Sequence, residues 1–165
     1  MHNSKEVIML NEGMFTSKNQ DWETPDDLFK SLDNEFHFTL DPCATHQNHK
    51  CSKYYTIQED GLSKDWSGEV VFCNPPYTSK GKIQDKWVKK CFEESKHATV
   101  VLLIPARTDT IRFHEYILPN AEIRFIKGRL HFNNSQDTAP FPSMICIFGR
   151  HGIKGVDYGN ITNRI

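Results

Sequence analysis

The chain has 165 residues, 38% of them hydrophobic and 25% charged, which suits one globular domain with a single core. No apolar run approaches the ~20 residues needed to span a bilayer, and no basic segment precedes an apolar block near Met1, so neither a membrane span nor an export signal is expected. A net charge of −1 demands no polyanionic partner, and five cysteines without regular spacing read as reduced thiols of a cytoplasmic protein.

Residues 1–20 are polar and aperiodic. They read as a loose arm, peripheral over 1–13, in which Met14-Phe15 offers a hydrophobe that can dock on the body. Thr24 then suits a helix N-cap, Pro25 the first helical position, and Asp26 and Asp27 the positive end of the helix dipole. Leu28, Phe29, Leu32 and Phe36 share one face, which predicts a helix over 25–35. Phe38 to Leu40 is a short strand stopped by Asp41-Pro42. A polar stretch follows over 43–53, then a candidate strand at Tyr54 to Ile57 and a turn at Glu59-Asp60-Gly61-Leu62. Val70 to Cys73 is a buried strand that runs into Asn74-Pro75-Pro76-Tyr77.

Ser79-Lys80-Gly81-Lys82 is a basic connector. Ile83, Trp87, Val88, Cys91 and Phe92 then form the apolar stripe of the clearest helix in the chain. Thr99 to Ile104 is unbroken in its apolarity, as befits a strand covered on both faces, and Pro105 ends it. A helix is expected over 110–118 with Ile111, Tyr116 and Ile117 inward. Ile123 and Phe125 alternate with charged residues up to a turn at Lys127-Gly128, and Leu130 and Phe132 alternate again, which predicts a hairpin. Met144 to Phe148 is a further buried strand, and the tail over 150–165 has no core pattern. The succession predicts a single α/β domain over 1–165, built on a compact, largely parallel sheet with an antiparallel hairpin near its C-terminal end.

The chemistry gathers at strand ends. If the strands are parallel, Asp41-Pro42, Asn74 to Tyr77 and Pro105-Ala106-Arg107 share one edge of the sheet, where open α/β sheets bind ligands. Two prolines make the loop after Asn74 stiff and extended. The Asn74 amide and the Tyr77 ring suit a planar heterocycle with an exocyclic amino group; the plainer reading is a strand end followed by a Pro-rich turn. Asp41 either balances a cationic ligand or caps the next turn. Trp87 is either core or a base-stacking ring. Arg107 and Arg129 either form surface ion pairs or contact phosphates. The spacing of Cys43, His46, His49 and Cys51 matches no usual zinc site. No G-x-G-x-x-G or P-loop is present, which argues against dinucleotides and nucleoside triphosphates. Residues 1–78 carry 6 Lys/Arg and 13 Asp/Glu, and residues 79–165 carry 14 and 8. Such halves fit either scatter over a solvated surface or a cationic ligand at one end and a phosphate backbone at the other.

These motifs occur in a series. Trp22-Glu23-Thr24-Pro25, Leu40-Asp41-Pro42-Cys43-Ala44, Asp60-Gly61-Leu62 with Trp66, and Asn74-Pro75-Pro76-Tyr77 come first. Ile104 to Thr110, Ile126-Lys127-Gly128-Arg129-Leu130 and Pro140 to Ser143 follow. The series resembles the compact phage and prophage DNA N-6-adenine methyltransferases of the Dam type, over roughly residues 14–149.

The resemblance implies a trimmed Rossmann-like methyltransferase sheet. It implies S-adenosylmethionine as cofactor, no metal, and double-stranded DNA as partner. The target adenine would be flipped into a pocket at Asn74 and methylated on N6. Asn74 and the Pro75 carbonyl would accept from its amino group, Pro76 would hold the loop, and Tyr77 would stack on the base. Trp22, Thr24, Pro25, Asp41, Pro42 and Cys43 would form the cofactor side, with Asp60 on its adenosine. Lys80, Arg107 and Arg129 would meet the DNA. RNA adenine, cytosine N4 or a protein amide as substrate, and a non-catalytic nucleic-acid-binding module, are the alternatives. Asp41 and Asn74 are only 33 residues apart, which leaves little room for two strand-helix units. No separate target-recognition domain is evident, so sequence readout is expected to be weak.

Overall fold

The computed structural model describes residues 22–77, 81–133 and 136–149, together with the backbone of 156–157. Helix α1 (Asp26–Phe36) buries Leu28 and Leu32 and places Asp26 and Asp27 in its first turn. It ends where His37 turns left-handed, at φ 57°, and donates its N–H to the Asp33 carbonyl. Strands β1 (Leu40–Asp41) and β2 (Lys53–Tyr54) are very short. A 3₁₀ turn at Gly61–Ser63 leads to β3 (Val70–Cys73). Helix α2 (Lys82–Glu94) follows and buries Gln84, Trp87, Val88 and Cys91. Strand β4 (Thr99–Pro105), a π turn at Phe113–Ile117, β5 (Glu122–Phe125), β6 (Ser143–Phe148) and β7 (Val156–Asp157) complete the order.

The strands form one sheet in the order β2-β1-β3-β4-β6-β5-β7. Pairing is parallel from β2 through β4, and β6 runs antiparallel between β4 and β5. The fold is therefore a mixed, mostly parallel α/β sheet with an antiparallel pair near the C-terminal end, consistent with a Rossmann-like methyltransferase.

The central strands are apolar on both sides because both sides are covered. Val100, Leu102 and Ile104 of β4 join Met144, Cys146 and Phe148 of β6 in a core shared with Trp66, Trp87, Val88 and Ile117. Val101, Leu103, Ile145 and Ile147 point the other way, onto Leu28 and Leu32 of α1 and onto Leu130, Phe132 and Phe141. Two successive residues thus lie on opposite faces of one sheet.

Several expectations change. The helix expected over 110–118 contains a π turn, in which the Leu118 N–H donates to the Phe113 carbonyl at 2.8 Å, five residues back. Ile117 is buried as expected, with Phe113 beside it and Tyr116 packed against the same core, whereas Ile111 is 74% exposed. Leu130 and Phe132 form no hairpin with β5. Each is 1% exposed, covering the α1 side of the sheet, and β5 pairs with β6 instead. The strand expected at 54–57 is reduced to Lys53–Tyr54. Within the tail, Val156–Asp157 adds a parallel edge strand beside β5. Thr24 does not cap α1: Pro25 takes the cap position, and no side chain caps the helix. Met14-Phe15 and the rest of the expected arm lie outside the described residues.

Candidate active site

Strands β1, β3, β4 and β5 all run the same way, so their carboxyl ends share one edge of the sheet. Asp41, Asn74 and Arg107 lie at or just after the ends of β1, β3 and β4. A cavity of about 730 Å³ opens there. Of the sequence-predicted residues, Trp22, Thr24, Asp41, Pro42, Cys43, Asp60, Asn74, Pro75 and Pro76 line it together. Pro25, Tyr77, Arg107 and Arg129 do not, and Lys80 lies outside the described residues.

The stretch between β1 and β3 is where the fold is lean. It holds one two-residue strand and one 3₁₀ turn, with no α-helix. The connection from β1 is tied back by its own carboxylate. Asp41 Oδ1 accepts from the Cys43 N–H at 3.4 Å, and Oδ2 accepts from the Lys50 N–H at 3.1 Å. Asp41 therefore caps a turn and borders the cavity at once. Burial pushes its carboxyl up to about 6, against the lowering effect of the two N–H donors.

Asp60 stands on the facing rim in the left-handed region, at φ 53°. Its carboxylate has no side-chain partner among the described residues. The next residue must be glycine because a Cβ there would overlap the Pro42 carbonyl. The Gly61 carbonyl accepts from the buried Trp66 indole N–H at 3.1 Å. Trp66 in turn stacks on Trp87 at 6.2 Å between ring centroids. This explains the Asp60-Gly61-Leu62 and Trp66 pattern as one unit that presses the Asp60 turn against the end of β1. Trp87, 6% exposed, belongs to the core and borders the cavity with what remains.

Asn74 is held on three sides. Its Nδ2 donates to the Trp22 carbonyl at 2.8 Å and to Thr24 Oγ1 at 2.9 Å. The Tyr77 hydroxyl donates to Asn74 Oδ1 at 2.9 Å, with the Leu103 carbonyl 3.2 Å away. The Tyr77 ring is 7% exposed and meets Phe141 edge-on at 5.5 Å, so here it supports the asparagine from behind rather than lining the open space. Burial pushes its hydroxyl well above the ordinary range, which keeps it a donor. Cys43 Sγ lies 3.8 Å from Cys73 Sγ beneath this loop, and burial pushes both thiols up.

Two other contributors, Asn133 and Lys50, left no trace in the sequence. Asn133 donates from its N–H to the Glu23 carbonyl at 3.0 Å and from Nδ2 to the Thr24 carbonyl at 3.3 Å. Lys50 Nζ meets Glu23 at 3.3 Å and Asp26 at 2.8 Å. The Trp22 ring lies edge-on to Phe132 at 5.0 Å. Together they fasten residues 22–26 as a strap over Asn74.

His46 and His49 do not converge on the cysteines. His46 Nδ1 lies 2.9 Å from the Tyr54 hydroxyl, and His49 Nδ1 lies 2.9 Å from the Cys51 carbonyl. Among the described residues no group of His, Cys, Asp and Glu is arranged to hold a metal. Arg107 and Arg129 are exposed, and neither has an acidic partner among the described residues. No helix of the described residues is long and apolar enough to cross a membrane.

Comparison with known proteins places the chain in a family. The model of the family described as DNA N-6-adenine-methyltransferase (Dam) matches residues 13–150. A DNA N-6-adenine-methyltransferase of Escherichia phage T1 is 34% identical over 113 residues, which cover 66% of this chain and 45% of that protein. One of Haemophilus phage HP1 is 28% identical over 135 residues, 77% of each chain. The putative methyltransferase YfdM of Escherichia coli K12 is 38% identical over 63 residues, 34% of this chain and 69% of that protein. The chain thus spans under half the length of the phage T1 relative and about three quarters of the HP1 one. The matched residues 13–150 contain the strap, the Asp41 turn, the Asn74 loop and the sheet that carries them, and the chain belongs to the DNA N-6-adenine-methyltransferase (Dam) family.

Proposed function

We propose that this protein methylates the N6 amino group of adenine in double-stranded DNA, with S-adenosylmethionine as the methyl source. The observation that carries the reading is the placement of Asn74 and Pro75 at the carboxyl end of β3, in one cavity with Asp41 and Asp60, within a chain of this family.

The cavity fits that cofactor by its chemistry. At about 730 Å³ it lies within the range of small-molecule sites. Carboxylates on its lining suit an ammonium and a sulfonium, and Ile57, Leu62 and Trp87 supply apolar wall. Asp41 would sit toward the cationic amino-acid portion, and Asp60, whose carboxylate is unengaged, toward the ribose hydroxyls. When bound, the cofactor supplies a methyl group on a positively charged sulfur that departs as a neutral thioether.

The protein's part is to hold the amine. Asn74 Oδ1 and the Pro75 carbonyl accept hydrogen bonds from the two N6–H groups, which concentrates lone-pair density on the nitrogen and aims it. The attacking nitrogen is neutral. As the N–C bond forms and the C–S bond breaks, the nitrogen gains a positive charge, and it then releases one proton to solvent. No strong general base is required, so rate comes chiefly from positioning. Reaching the amine requires flipping the base, at an unstacking cost of a few kcal/mol. Tyr77 keeps its hydroxyl on Asn74 Oδ1 and its ring against Phe141, so it serves by orienting the asparagine in place of the stacking role that the resemblance implies.

Incubation with methyl-labelled cofactor and unmethylated duplex DNA tests the proposal, with the product nucleoside identified. N6-methyladenine is expected. Label in RNA alone would move the substrate class, N4-methylcytosine would move the base, and label in no nucleic acid would refute the reading. Asn74→Ala should reduce turnover at least about 100-fold, the order typical of removing a preorganised hydrogen-bonding group. Cofactor affinity, measured by calorimetry, should stay within a few fold.

A further inference from the structure

An asparagine amide has two orientations of nearly the same shape, related by a half-turn, and its neighbours decide between them. For Asn74 one neighbour leaves no choice. The Trp22 main-chain carbonyl, 2.8 Å from Nδ2, can only accept, so the amino end of the amide must face it. Thr24 Oγ1, 2.9 Å from the same nitrogen, takes the second proton. Thr24 is 2% exposed, so bulk water has no ready access to replace that acceptor. On the other side Tyr77 donates to Oδ1, using one of its two lone pairs. The side chain is left with one unused capacity, which is to accept a hydrogen bond. The strap that imposes this is fastened from elsewhere, by Asn133 on the Glu23 carbonyl and by Lys50 on the Glu23 and Asp26 carboxylates.

We propose that Thr24 is a positioning residue: with the Trp22 carbonyl it locks the Asn74 amide so that the site can only accept from its ligand and thereby selects an exocyclic amine over a ring oxo group. The link to adenine in DNA rests on the function proposed above, whereas the lock itself does not. Thr24→Val keeps the shape and removes the acceptor. It should lower kcat by about tenfold or more, because an amide held through only one of its Nδ2 protons, with the other left unpaired, no longer fixes the angle at which Oδ1 meets the amine. Affinity for S-adenosylhomocysteine should stay within about twofold, since the acceptor removed is one that holds Asn74 rather than the ligand. Thr24→Ser, which restores the oxygen, should recover most of kcat. Equal kcat in wild type and Thr24→Val would overturn the lock, and so would failure of Thr24→Ser to recover.

A measurement on the wild type separates this from the activity reading and does not depend on the folding of Thr24→Val. The two Asn74 Nδ2 protons, assigned in nitrogen–proton correlation spectra by their loss in Asn74→Ala, should be well separated and slow to exchange. Rapidly exchanging signals at unstructured positions would overturn the lock whatever the enzyme's activity. Absence of methyl transfer to DNA with protected Asn74 protons would instead refute the proposed function alone.

Discussion

Asp41 illustrates how much one carboxylate has to do when the sheet behind it is small. It is 5% exposed, both oxygens accept from main-chain N–H groups, and its carboxyl is nevertheless raised to about 6 because burial outweighs those bonds. In the unfolded chain the group titrates near 3.9. The raised value makes ionised Asp41 a cost to the folded state: about 3 kcal/mol, fully present above pH 6 and gone below about pH 4. Acidification from pH 7 toward 4 should therefore relieve destabilisation at this residue. A cation bound beside it would reverse the preference, favour the ionised form and draw its proton off. Affinity for S-adenosylhomocysteine should accordingly rise from pH 5 to 7 and flatten above. Asp41→Asn should bind roughly tenfold more weakly at pH 7.5, on the scale of a lost charge-assisted contact, with a flatter profile. Calorimetric titration across that range checks both. An unchanged slope in Asp41→Asn would assign the pH dependence to another group.

At the scale of elements, the cavity depends on how closely the 3₁₀ turn at Gly61–Ser63 approaches the end of β1. A methyl group on Gly61 would overlap the Pro42 main-chain carbonyl and crowd the Trp87 ring at 3.2 Å. Neither can yield cheaply, one being backbone and the other clamped by Trp66. Gly61→Ala should cost about 1–3 kcal/mol, as overpacking does, and lower Tm by roughly 3–10 °C. It should also weaken cofactor binding, because Asp41 and Asp60 are then pushed apart. Gly68→Ala is the control. Gly68 sits at φ 78° with nothing within 4 Å of an added Cβ, so it should lose about 1–2 kcal/mol to backbone strain and nothing in affinity.

The same elements show what a sequence does and does not disclose. The strand ends at Asp41 and Asn74 were legible because Pro42 and Pro75 stop strands by their own chemistry. The buried strands β4 and β6 announced themselves by unbroken apolarity. The hairpin expectation failed because alternation reports burial on one side, not the partner: Leu130 and Phe132 alternate to cover a core face without pairing. Thr24 looked like a helix cap because capping is a local pattern. Its real partner, Asn74, is 50 residues away, and the Asn133 contact to the strap spans 109. Contacts of that kind leave no periodic trace.

At the scale of the whole molecule, the near-zero net charge hides a polarity in how charges meet the sheet. The acidic residues Asp41 and Asp60 lie inside the cavity, whereas Arg107 follows β4 and Lys127 and Arg129 follow β5 on the same edge, all three exposed. Helix α2 begins from that edge with Lys82 and Lys86 exposed in its first turns, Lys86 on the cavity rim. The cavity's carboxylates are thus bordered by exposed basic side chains, the arrangement that the proposed function would use to hold a cationic cofactor inside and the phosphates of a duplex outside. Phosphate contacts carry affinity without sequence information. Arg107→Ala and Arg129→Ala should each weaken DNA binding by a similar factor on any sequence, and each should reduce the slope of log affinity against log salt by about 1. Lys96, exposed at the opposite edge between α2 and β4, supplies the comparison, and Lys96→Ala should leave the slope unchanged. Fluorescence anisotropy on two unrelated duplexes, from 50 to 200 mM salt, reads all three variants. A loss confined to one sequence would make the arginine a base reader, and no loss in either arginine variant would place the duplex on another face of the molecule.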